Sequence, residues 1–108
     1  MKQVNLRDFL DKRDPLPRTT TLIREHGLRT LLLHLKAGEE IPEHHTRGPI
    51  LVHCLSGDVK FSSGDQVDLK PGTLISLEPG APHSLSARED SLLLVTISED
   101  NPTTSSSK

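Results

Sequence analysis

The segment that decides the fold runs from residue 38 to residue 83 and reads GEEIPEHHTRGPILVHCLSGDVKFSSGDQVDLKPGTLISLEPGAPH. It opens on Gly38, and five residues separate this glycine from the pair His44-His45. It closes on His83, and short apolar runs between glycine-containing turns fill the interval. Two histidine-bearing segments about forty residues apart, on neighbouring strands, are one way to build a metal site inside a small β-barrel.

The rest of the chain also has the pattern of short strands bounded by Gly, Pro, Asp or Ser. The predicted strands cover residues 19–25, 28–36, 50–55, 59–62, 66–69, 73–77, 83–87 and 92–97. A short helical turn over residues 5–12 precedes them, with Leu6, Phe9 and Leu10 on one face. Seven or eight strands at this spacing predict an all-β sandwich or barrel. The chain is therefore expected to form a single domain over residues 1–99, followed by a disordered polar tail over residues 100–108.

Composition argues against several classes of partner. The 108 residues include two phenylalanines and no tryptophan or tyrosine, so there is little aromatic surface on which bases could stack. The net charge of −2 provides no positive surface for nucleic acid or for an anionic membrane. We expect no binding to either of them.

The single cysteine and the N-terminal sequence both favour the cytoplasm. No apolar run has the length of a signal-peptide core or of a membrane span. Cys54 has no partner for an internal disulfide, which suits a reducing compartment. Because Cys54 lies in an apolar run, we interpret it as a small buried hydrophobic residue and not as a reactive thiol.

The spacing of glycine and histidine resembles the two motifs of the cupin family, over about residues 28–97. The positions that match are Gly38, His44, Gly57, Gly72, Gly80 and His83. The resemblance implies a double-stranded β-helix, also called a jelly roll, which is usually dimeric. It also implies a barrel that often holds one divalent metal ion.

Two of the four metal-ligand positions of the family carry other residues here. Thr46 stands where the family has its second histidine, and Ile50 stands where it has a carboxylate. Only His44 and His83 remain at their own positions. Zinc, iron and manganese sites usually take at least three protein ligands, so a third ligand is needed.

His45 and His53 are the candidates for that third ligand. Strand alternation places His45 on the face opposite to His44, and His53 on the face opposite to Ile50. A β-bulge near Gly48-Pro49 would reverse the alternation for His53. The predicted metal ligands are therefore His44 and His83, with His45 or His53 completing the site.

Three functions stay open at this stage. The first is a small cytoplasmic cupin that binds a divalent ion (Zn, Ni, Fe or Mn), with possible oxidative, isomerase or decarboxylase chemistry on a small molecule. The second is a cupin module that binds or senses a small ligand without turnover. The third is a jelly-roll protein that assembles with a partner chain. The predicted pocket-lining residues are Ile50, Val52, Cys54, Phe61 and Leu77.

A homodimer is also predicted. The runs 31–33 and 92–95 are apolar at every position, so both faces of each strand are apolar. One small barrel interior does not need that much apolar surface, and the excess is typical of a subunit interface.

Overall fold

The computed structural model describes residues 1–11 and 15–99. The predicted tail at residues 100–108 lies outside them. The elements are α1 (Arg7–Leu10), β1 (Thr19–Glu25), β2 (Leu28–Leu35), β3 (Glu40–His44), β4 (Ile50–Ser56), β5 (Val59–Ser63), β6 (Asp65–Leu69), β7 (Leu74–Leu77), β8 (His83–Ala87) and β9 (Ser91–Ser98). In the described part of the chain, no helix combines the length and the apolar character needed to cross a membrane.

The nine strands form two antiparallel sheets. One has the order β1-β2-β9-β4-β7, and the other has the order β3-β8-β5-β6. Strands distant in sequence pair with one another, as β2 does with β9 and β3 does with β8. The predicted all-β jelly roll, a double-stranded β-helix with a short helical turn before it, is confirmed.

The core lies between the two sheets and follows the two-residue period of the strands. In β4, Ile50, Val52 and Cys54 are buried, whereas Leu51 between them is exposed. Phe61 of β5 faces this row from the other sheet and is part of the same apolar cluster. The short apolar runs of the sequence are therefore alternating strands with one buried face each.

The N-terminal segment covers part of the outer face of the five-stranded sheet. Leu32 and Leu92 are only 1 % and 7 % exposed, although neither belongs to the cluster between the sheets. Phe9 and Leu16 share a cleft with Leu92, and the carbonyl oxygen of Leu16 lies 3.2 Å from Nδ1 of His34. The leucine runs that predicted a homodimer are thus largely buried within one chain.

Two elements differ from the sequence prediction. The helix is confined to Arg7–Leu10, a single turn, where residues 5–12 were predicted. Strand β3 was not predicted, because only Ile41 in it is even half-buried and Pro42 interrupts its pattern. β3 is an edge strand of the four-stranded sheet, and an edge strand accepts proline because one side needs no hydrogen bonds.

Candidate functional site

A cavity of about 260 Å³ opens between the two sheets. Nine of its fourteen lining residues are apolar, among them Leu31, Val52, Phe61 and Val95. The lining residues with polar side chains are Thr19, Arg29, His44, Thr46 and His83. The cavity therefore offers an apolar interior with a few polar groups, which is the usual character of a small-molecule site.

A β-bulge in β3 turns His44 toward the cavity. Ile41 pairs with Leu85 of β8, and His44 pairs with His83, so the chain advances three residues along β3 and only two along β8 between these pairs. In a regular strand, two residues that are three steps apart, such as Ile41 and His44, would lie on opposite faces. Because of the bulge, both of them line the cavity.

The rings of His44 and His83 lie side by side in the cavity, and Nδ1 of each ring contacts a backbone carbonyl. Their ring centroids are 4.2 Å apart in an edge-to-face arrangement. Nδ1 of His44 lies 3.0 Å from the carbonyl oxygen of Pro42, and Nδ1 of His83 lies 3.0 Å from that of Ala81. A carbonyl oxygen only accepts, so both Nδ1 atoms donate and the neutral rings keep Nε2 as an acceptor.

The surroundings of His83 favour its neutral form. The side chain is buried and stacks on Phe61, with 5.6 Å between ring centroids and 9° between ring planes. Burial is the main cause that lowers the pKa of His83, and the nearby charges of His44 and His45 lower it further. The hydrogen bond to Ala81 acts in the opposite direction without reversing the shift. His83 is therefore a neutral hydrogen-bond acceptor or ligand at pH 7.

Thr46 and Ile50 line the same cavity as the two histidines. The hydroxyl of Thr46 donates to the carbonyl oxygen of Gly48 at 2.9 Å, so toward the cavity it can only accept. Ile50 is buried and adds apolar surface. The four positions at which the resemblance implies metal ligands are thus close in space, but two of them carry side chains unsuited to that role.

The other two histidine candidates do not line the cavity. His45 is exposed and follows the end of β3, although its charge reaches His83. His53 pairs with Leu74 and Leu94 on the outer face of its sheet. The register of β4 is regular from Ile50 to His53, so no bulge reverses the alternation.

Other predicted pocket residues are divided between the cavity and the core behind it. Val52 and Phe61 line the cavity, as predicted. Cys54 and Leu77 contribute to the apolar core and do not reach the cavity wall. The thiol of Cys54 is fully buried, and burial raises its pKa, which fits a structural role.

The described residues do not complete a metal site. Within residues 1–11 and 15–99, no three His, Cys, Asp or Glu side chains come close enough together to hold an ion. Two imidazoles on one tetrahedral zinc ion have their centroids roughly 5 Å apart, given Zn–N bonds of about 2.0–2.1 Å. The rings of His44 and His83, at 4.2 Å, would have to separate to share one.

Arg29 is a cavity residue that the sequence interpretation missed. It is half-buried in β2, pairs with Ile97 of β9, and lines the cavity together with Ile97 and Ile50. A signal was present, because alternation places Arg29 on the same strand face as Leu31 and Leu33. The cavity wall therefore contains one permanent positive charge.

Solved structures with the same fold cover nearly the whole chain. A cupin superfamily protein from Desulfitobacterium hafniense DCB-2 is 18 % identical, with a TM-score of 0.76 over 92 % of each chain. A conserved protein of unknown function from Streptococcus pyogenes is 24 % identical, with a TM-score of 0.73 over 92 % of this chain and 88 % of that one. KdgF from Halomonas sp. is 18 % identical, with a TM-score of 0.70 over 85 % of this chain and 88 % of that one. At these identities the likeness establishes the fold alone.

Sequence comparison assigns the family. No curated protein matches the chain. The family model for a cupin domain, however, matches residues 31–98, which contain the histidine pair, the bulge and most of the cavity wall. This chain belongs to the cupin family.

Proposed function

We propose that this cupin binds a small organic molecule in the cavity between its sheets. The observation that carries the proposal is the cavity itself, about 260 Å³ in volume and apolar at nine of fourteen lining positions. At about 30 Å³ per water molecule, that volume corresponds to roughly nine waters. The ligand is accordingly a compact molecule of roughly ten non-hydrogen atoms.

The polar groups define how such a ligand is oriented. Because His44 and His83 each donate from Nδ1 to a backbone carbonyl, Nε2 of each ring accepts a hydrogen bond from the ligand. Neither ring is oriented by a carboxylate, as a general base often is. We therefore propose binding without turnover, which is the ligand-binding or sensor alternative, over oxidative or isomerase chemistry.

Benzyl alcohol is a suitable first probe, because it joins a compact apolar ring to one hydroxyl donor. We expect backbone amide chemical shifts in a ¹⁵N-labelled sample to change around the cavity, at Leu31, Val52 and Val95. His44→Ala should weaken binding roughly two- to tenfold through loss of one hydrogen bond. His45→Ala is the matched control, since it removes the neighbouring exposed imidazole that does not line the cavity.

Two results would count against this proposal. One is a set of shift changes scattered over the surface, with none at the cavity wall. The other is equal weakening by His44→Ala and His45→Ala, which would mean that the probe does not contact the cavity histidine.

The second candidate function is binding of a divalent ion (Zn, Ni, Fe or Mn) by His44 and His83. The Nε2 atoms, for which the described residues provide no hydrogen-bond partner, favour it, since neutral imidazole nitrogen is a common ligand for these ions. The absence of a third protein ligand among the described residues weighs against it. Metal analysis of untagged protein decides: an equimolar metal that is lost in both His44→Ala and His83→Ala would establish this function.

Homodimer formation and a cytoplasmic location stay predictions. On the outer face of the five-stranded sheet, Leu51 and Leu74 are exposed by 46 % and 61 %, beyond the part that the N-terminal segment covers. We propose this remaining apolar surface as the subunit interface. Light scattering that gives the mass of one chain throughout the micromolar range would exclude it.

A further inference from the structure

The charge inside the cavity is unbalanced. Arg29 is the one arginine or lysine among the lining residues, and no aspartate or glutamate of the described chain is among them. Arg29 is half-buried, so a ligand that fills the cavity would remove more of its charge from water, which is costly without an opposite charge nearby. An anionic group on the ligand would supply that opposite charge.

One hydrogen bond orients Arg29, and no residue of the described chain binds its two terminal nitrogens. Its Nε donates to Oγ1 of Thr21 at 3.0 Å, which fixes the guanidinium plane. Within the described residues it forms no ion pair. The two terminal nitrogens of a guanidinium carry four further N–H groups, in the fork geometry that matches a carboxylate.

The neighbouring arginine, Arg24, already has a carboxylate partner. Arg24 pairs with Arg29 in the register of β1 and β2, but its Nε and one terminal nitrogen both bind Glu99 at 2.8 Å. The pKa of Glu99 is lowered first by this hydrogen bond from Arg24, and least by the more distant charge of Arg29. The carboxylate of Glu99, whose charge interacts with that of Arg29, is thus already bound to Arg24.

The remaining polar groups of the cavity are mainly acceptors. Nε2 of His44 and of His83 accept, and the hydroxyl of Thr46 has used its hydrogen on Gly48. Carboxylate oxygens have no hydrogen to donate, so a ligand carboxylate would leave these acceptor atoms without a hydrogen bond. A hydroxyl or amine elsewhere on the ligand would donate to them.

We propose that the cavity selects a small carboxylic acid with an apolar body, whose carboxylate binds Arg29. A hydroxyl or amine on the same molecule donates to Nε2 of His44 or His83. This proposal rests on the proposed function, since it names the class of ligand for the same cavity.

The test compares acids with neutral molecules of nearly the same shape. The probes are benzoate, 4-hydroxybenzoate, benzamide and benzyl alcohol, each titrated calorimetrically into the wild-type protein at pH 7. We expect both acids to bind more tightly than the two neutral probes, and 4-hydroxybenzoate to bind most tightly. Raising NaCl from about 0.05 to 0.5 M should weaken the acids and leave benzyl alcohol unchanged, because salt screens the interaction with Arg29.

Substitutions of Arg29 and of a control arginine then test which residue binds the carboxylate. Arg29→Met should weaken benzoate binding roughly ten- to a hundredfold, while benzyl alcohol binding changes less than about twofold. Arg29→Lys, which keeps the charge but loses the fork, should have an intermediate effect. Arg88→Met is the control and should change neither probe, because Arg88 does not line the cavity and its ion pairs within the described chain are with Asp58 and Asp68.

The outcomes separate this inference from the function on which it rests. If benzamide binds as tightly as benzoate without salt dependence, the anion site is refuted while ligand binding in the cavity stands. If Arg88→Met weakens benzoate as much as Arg29→Met does, the acid does not bind specifically at Arg29 and the anion site is again refuted. If none of the four probes binds, both proposals are overturned. The salt comparison uses wild-type protein alone, so the test holds even if Arg29→Met does not fold.

Discussion

Replacing Gly57 by alanine tests how tightly the turn between β4 and β5 is packed against the start of β9. Gly57 has φ +97°, and an added Cβ would overlap the hydroxyl of Ser91 and come within 2.5 Å of its Cα. Ser91 is buried, and its Oγ accepts from the Asp58 amide at 3.0 Å and donates to the Glu89 carbonyl at 2.7 Å. The substitution therefore strains the backbone and displaces a hydrogen-bonded side chain together.

The two costs can be separated with a second glycine. Gly72 has φ +93°, but an added Cβ there would meet no atom within 4 Å. Gly72→Ala should cost only the strain of a positive φ, about 1–2 kcal/mol. Gly57→Ala should add about 1–3 kcal/mol of overpacking, which includes weakened hydrogen bonds of Ser91, for a total of about 2–5 kcal/mol.

Urea denaturation followed by far-ultraviolet circular dichroism measures both values, since the chain has no tryptophan or tyrosine to report by fluorescence. If Gly57→Ala and Gly72→Ala lower the free energy of unfolding by amounts that agree within about 0.5 kcal/mol, contact with Ser91 carries no cost of its own.

Three further predictions concern burial. Because folding lowers the pKa of His83, the unfolded chain binds more protons than the folded chain below about pH 6.5. The contribution of His83 to the free energy of unfolding is therefore complete above that pH and is lost as the pH drops. Urea titrations at several pH values should show a smaller fall for His83→Gln than for the wild-type protein. An equal fall in both proteins would contradict this. Burial also raises the thiol pKa of Cys54, so iodoacetamide should modify it only after unfolding; mass spectrometry that finds rapid labelling of the native protein would refute its buried position. Removing residues 1–16 should expose Leu32 and Leu92 and lower the free energy of unfolding by roughly 3–5 kcal/mol, and an unchanged urea midpoint would show that the N-terminal segment does not protect them.

The sequence was sufficient for the fold because alternation and glycine turns are local signals. Positions 50, 52 and 54 alternate with polar or exposed ones, and such a pattern predicts a strand with one buried face without any knowledge of its neighbours. The meeting of His44 with His83 was predicted from motif spacing, and the structure brings the two rings together.

The parts that the sequence did not predict depend on contacts between distant segments. Nothing local shows that β3 pairs with β8, so a strand with one half-buried residue was overlooked. Likewise, the apolar positions 32 and 92 suggested a subunit interface, because a sequence does not reveal that residues near the N-terminus return to cover them. Arg29 was missed for a different reason, since a charged residue at the start of a strand is usually exposed.

The bulge in β3 makes the histidine pair tolerant of one change in strand length. The identity of the residues between Ile41 and His44 matters little, since Pro42 and Glu43 are both exposed. Point substitutions at these two positions should therefore be tolerated. Loss of a single codon there would remove the bulge and leave His44 two residues after Ile41, which regular alternation still places on the same face. Closely related chains could therefore have a β3 that is one residue shorter and keep the histidine pair, with every residue of the apolar core unchanged.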